Sequence, residues 1–130
     1  MTSFSSRIQY GHAAFAAMGT AGPLEPFLTL AEAHLRQAPD SWVGALMVER
    51  LFATGRYGEI GGLVRQYPWL TRCTDRVTCL AGLQVARSWF RTGSRAEARE
   101  LLRSASARMN QLGLGGLRRL AATRTELTVR

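Results

Sequence analysis

FATGRYGE at residues 52–59 returns 38 positions later as FRTGSRAE at residues 90–97, with Phe, Thr, Gly and Glu at the same offsets. A Thr-Gly pair after an apolar-periodic run marks a helix end, because glycine takes the left-handed conformation that closes one. The residues that follow, through Glu59 and Glu97, suit a first helical turn, where acidic side chains meet exposed amides. Each phrase therefore reads as the tight link of a helical hairpin. Its repetition reads as two hairpins of one design.

Outward from these links, apolar residues recur at three and four, and no stretch alternates in the manner of a strand. The spacing predicts a first helix over residues 4–18, on which Ile8, Phe15 and Met18 share a side. A second begins near Pro23 and Leu24 and buries Phe27, Leu28, Ala31 and Leu35. A third opens at PDSW, where Asp40 or Ser41 can cap it, and runs to Gly55. A fourth spans Tyr57 to Gln66, weakened by Gly58, Gly61 and Gly62. A fifth runs from Thr74 or Asp75 to Arg91. A sixth starts at Ser94 with Glu97 as its capping-box partner. GLGG at 113–116 breaks the chain before a last helix ending near Leu127. The expected fold is all-α: a single domain of three antiparallel hairpins (about 4–38, 41–67 and 75–110) plus a terminal helix at about 117–127.

Set on Gly22, Gly55 and Gly93, the hairpins repeat at 33 and 38 residues, close to the ~34 of tetratricopeptide repeats. Trp89 stands four before Gly93; Ala98, Leu102 and Ala105 follow at the offsets where that repeat places small, large and small residues. Asn110 replaces its closing proline. Over roughly residues 8–110 the chain resembles a divergent tetratricopeptide-repeat protein. LFATGRYGEI and WFRTGSRAEARELL are also similar to the turn pattern of small type III secretion chaperones. The tail ELTVR resembles the opening of the LuxR-type DNA-binding domain that follows helical repeats in larger regulators. The first two resemblances imply a stacked superhelix that binds a partner protein; the third implies part of a transcriptional regulator.

Composition narrows the function classes. A chain of 130 residues with 46% hydrophobic content suits one folded domain, and no run approaches the ~20 apolar residues of a membrane span. A cytoplasmic location and no membrane partner are expected. No HExxH, phosphate loop or serine-histidine-aspartate signature occurs, so neither an enzyme nor a cofactor-binding protein is expected. His12 and His34 lie far from Cys73 and Cys79, which excludes a recognisable metal site. Were both cysteines on one helix, six residues would turn them about 240° apart, so they are expected as reduced, unbridged thiols.

Every basic residue is arginine, as expected of a GC-rich bacterial genome. The whole net charge of +8 falls in residues 66–130. Arg87 and Arg91 on one helix, and Arg95, Arg99 and Arg103 on the next, are spaced by four and predict a basic ridge on each. Trp69, beside Pro68 at a helix end, is expected to be partly exposed, whereas Trp89 is expected in its hairpin's core. These arginines and Trp69 are the candidate partner-binding residues. An acidic or amphipathic protein segment is the favoured partner, since guanidinium groups pair with carboxylates in two-pronged fashion. Nucleic acid is the alternative ligand. A solvated arginine-rich face and self-association are both compatible with the same residues.

Overall fold

A computed structural model describes residues 22–128, which form six α-helices and one 3-10 turn, with no strand among them. The helix expected over residues 4–18, with His12 and the start of the first hairpin, lies outside the described residues. Helix α1 (Leu24–Gln37) buries Phe27, Ala31 and Leu35 along one stripe. Helix α2 (Ser41–Ala53) starts at Asp40, whose Oδ1 accepts from the backbone N–H groups of Trp42 and Val43. The other oxygen of Asp40 lies 2.9 Å from His34 Nε2, tying the end of α1 to the start of α2.

The two copies of the Thr-Gly phrase close their helices identically. Thr54 and Thr92 donate their hydroxyls to the carbonyls of Arg50 and Ser88, four residues back. Gly55 and Gly93 adopt φ of 76° and 99°. The next N–H groups, of Arg56 and Ser94, return to the carbonyls of Leu51 and Trp89. Threonine and glycine thus satisfy carbonyls that a helix end leaves open, while only glycine takes that φ without strain. Helices α3 (Tyr57–Gln66) and α5 (Arg95–Gln111) follow directly.

Two sequence-based expectations are corrected. Ser94 makes no side-chain cap bond: its backbone sits at φ −85°, ψ 62° rather than in the extended conformation of an N-cap. The capping box belongs instead to α4 (Arg76–Arg91), where extended Asp75 accepts from the Thr78 N–H and the Thr78 hydroxyl accepts from the Asp75 N–H. That cap overturns the second expectation. Cys73 stands outside the helix, before Asp75, so the chain folds back and Cys73 forms a disulfide with Cys79, with their Cα atoms 4.4 Å apart. The preceding 3-10 turn (Pro68–Thr71) was not legible either. It inserts Leu70 against Gly44 of α2, where any side chain would collide with Leu70 Cδ2.

Helix α6 (Arg118–Leu127) completes the fold after a turn at Gly113, whose φ is 75°. Helices α2, α4 and α6 run the same way, side by side, as one layer. Arg119 at the start of α6 reaches the Leu80 carbonyl near the start of α4, and Glu126 at its end meets Arg91 at the end of α4. Helices α1, α3 and α5 form the antiparallel second layer and make no extensive contact with one another. Helix α4 is the centre. Its residues enter all three apolar clusters: Ala81 and Val85 beneath α1–α3, Cys79 and Leu83 with Met109 and Leu120, and Ala86 with Ala98 and Leu127. Small residues make that possible, since Ala81, Gly82, Ala86, Ala98 and Ala105 let neighbouring helices approach closely.

Candidate partner-binding surface

The two turns that share a phrase are also neighbours in space. The first supplies Phe52 and Tyr57, whose rings sit 5.2 Å apart and tilted by 54°. Over them lie arginines from the end of α4. The guanidinium carbons of Arg87 and Arg91 stand 4.8 and 4.9 Å from the Phe52 ring centre, and Arg91 also stands 5.0 Å from that of Tyr57. Stacking of this kind holds a cation in place while leaving its N–H edge free to bond. The Arg87 edge also reaches Gln84 Oε1 at 3.1 Å, and the Arg91 edge reaches the Tyr57 hydroxyl.

One carboxylate serves both cations. Glu126 of α6 accepts from Arg87 Nε at 3.3 Å and from Arg91 Nε at 3.2 Å. Partial burial alone would raise the Glu126 carboxyl, but the bonds from Arg91 and Arg87 outweigh it and hold the group below its ordinary value of 4.5. Glu126 in turn raises Arg91, with desolvation opposing. A depressed carboxylate contributes stability above its unfolded value and loses it as pH falls through the folded one. Acidification from pH 5 downward is therefore expected to loosen the end of α6 first. Hydrogen exchange at residues 123–127 should accelerate before that of α4, and exchange unchanged down to global unfolding would contradict this.

The remaining candidate arginines divide. Arg95 and Arg99 flank the Phe90 ring at 4.8 and 5.8 Å, and Arg99 Nε donates to the Leu127 carbonyl at 3.1 Å. Three of the five arginines expected in ridges thus bond the end of α6, two at Glu126 and Arg99 at the last helical carbonyl, while Arg95 shares the Phe90 ring with Arg99. Arg103 does not join them; it pairs with Glu100 one turn away in solvent. Trp69 does not join them either. It packs half-buried against the first cluster, beside Gly44 near the start of α2 and 5.8 Å from the Tyr67 ring. The arginines stand at the other end of that helix.

Trp89 is half-buried rather than fully enclosed in the core. It lines a cleft of about 380 Å³ between α3 and the α4–α5 turn, with Gly58, Gly61, Arg65 and Glu97, and a second cleft on the face of α5 with Leu101 and Glu100. Elsewhere on the layer, Arg119 bonds Glu49 of α2 across α4. Sequence spacing located the arginines but missed Phe52, Tyr57, Phe90 and Glu126, the groups that fix their direction. The aromatics at both ends of the phrase FATGRY were the available signal.

Comparison with known proteins gives no further anchor. No family, curated protein or solved structure matches this chain. The geometry therefore carries the functional reading alone. No group of three or more histidine, cysteine or carboxylate residues suited to a metal occurs among the described residues. No described helix is long and apolar enough to cross a membrane.

Proposed function

We propose that the chain is a non-enzymatic protein–protein interaction module, a small adaptor or chaperone of tetratricopeptide-like build working in the cytoplasm. In this reading α2 and α4 are the first helices of successive hairpins, α6 is the terminal helix, and the end of α4 that carries Arg87 and Arg91 faces an acidic or amphipathic segment of a partner protein. The observation that carries it is the pair Arg87 and Arg91, stacked on Phe52 and Tyr57 and supplied with a single carboxylate between them. Two oriented cations with one shared anion leave an excess of one positive charge at the end of α4. A carboxylate bound there meets groups whose rotamers are already fixed, which lowers the entropic cost of binding. Charge and aromatic support together mark an anchor point better than charge alone.

The test is charge reversal. Arg91→Glu is expected to weaken binding of the native partner, recovered stoichiometrically from the source cell, by at least about tenfold while the helical content is kept. Glu100→Arg, on the solvated face of α5, should leave the affinity within about twofold. Equal binding by wild type and Arg91→Glu would refute the reading. A nucleic-acid ligand would show itself differently, through affinity falling steeply with salt for any DNA or RNA sequence.

A further inference from the structure

The last helix already does to the arginine cluster what a partner is proposed to do. Helix α6 has ten residues. It packs on the body through one stripe, Leu120, Thr123 and Leu127, with Glu126 beside it at one end and Arg119 bonding Glu49 and the Leu80 carbonyl at the other; Ala121, Ala122, Arg124 and Thr125 face solvent. Glu126 fills the shared seat of Arg87 and Arg91, and Arg99 takes the Leu127 carbonyl, one of those that a helix terminus leaves unpaired. Leu120 closes the second apolar cluster and Leu127 the third. So short a helix has little stability of its own and holds its shape by docking. Its connection contains Gly113, Gly115 and Gly116, the residue type that best tolerates a change of backbone direction.

Resting on the function proposed above, we infer that α6 is an intramolecular stand-in, and that the surface beneath it on α4 and α5 is the docking site for a partner helix. The chemistry of that helix follows from the seat. It carries a leucine, a small residue three further on, and a Glu-Leu pair three beyond that, reproducing the spacing of Leu120, Thr123, Glu126 and Leu127. The carboxylate selects for the arginine pair, and the leucines fill the two cluster openings. Because α6 competes as part of the same chain, its effective concentration is high, so the partner binds only with the fraction of molecules in which α6 is released. Weakening α6 must then tighten partner binding. A helix that merely completed the core would give the opposite result, since loosening it would damage the site.

The experiment uses the full chain and two synthetic peptides: residues 117–128 of this chain, and the same peptide with glutamine at the position of Glu126. Affinity is measured by fluorescence anisotropy for wild type, for Glu126→Gln, and for the milder Leu127→Val. Both variants are expected to bind the glutamate peptide at least about fivefold more tightly than wild type does. The glutamine peptide should lose that gain. Hydrogen exchange should show α6 released in both variants with α4 still protected. Peptide affinity equal in wild type and variants despite released α6, or equal for the two peptides, overturns the inference. Should that happen while Arg91→Glu still abolishes binding of the native partner, the interaction module stands and only the stand-in falls. If Arg91→Glu leaves native binding intact, both fall.

Discussion

Leu83→Ala is expected to lower the unfolding free energy by about 2–5 kcal/mol, the usual range for emptying a buried leucine site. Leu83 has no exposed surface and lies where α4, α5 and α6 meet, against Met109, Ala105 and Leu120. The neighbours cannot collapse into the space easily. Ala105 is too short to reach across, and Cys79 is fixed by its bridge to Cys73. The loss should therefore fall toward the upper part of that range. For a domain of this size each kcal/mol moves the melting temperature by about 3–5 °C, so thermal unfolding followed by circular dichroism reads the effect directly. A shift under 3 °C would mean that α4 is not the centre of the core. Leu30→Ala on the exposed face of α1 is the matched control.

Reducing the disulfide is expected to cost about 2 kcal/mol, from the loop entropy of so short a closure. Cys73 precedes the Asp75 cap and Cys79 lies in the first turn of α4, so the bridge pins the incoming chain where that helix begins. Arg108 of α5 also bonds the Cys73 carbonyl at 3.1 Å, which makes the pinned segment part of the packing of α4 on α5. Melting with and without dithiothreitol, beside the variant Cys73→Ala, measures the difference. Coincident curves would show that the bridge contributes nothing. Thiol-buffered cytoplasm favours the open form and oxidising compartments the closed one, so the redox state of protein taken from its source also tests the proposed cytoplasmic location.

How much of this was readable in the chain depended on how local its cause was. Helix ends at Thr54-Gly55 and Thr92-Gly93 were legible, because hydroxyl, glycine and returning N–H act within six residues. Asp40 was legible as a cap for the same reason. Ser94 looked equally suitable, but the residue pattern does not reveal that its N–H closes the preceding helix, which denies its backbone the extended shape of a cap. The cysteines failed on a similarly fine point. The 240° separation holds only if both lie on one helix, and the Asp75 cap leaves Cys73 outside. The arginine spacing was visible and its meaning was not: the groups that orient Arg87 and Arg91 come from Phe52, Tyr57 and Glu126, more than thirty residues away in the chain.

The uneven contact between layers bears on how the molecule deforms. Helices α2 and α6 each pack on α4, while α1, α3 and α5 make no extensive contact with one another on the other side. A sheet of rods bonded along one face and free along the other is stiff against stretching yet compliant in bending. Closing or opening the clefts between α1, α3 and α5 changes the curvature of the whole array without parting the packed row. On the function proposed above, such flexure would adjust the clefts to a partner helix while Arg87 and Arg91, both on α4, keep their mutual spacing.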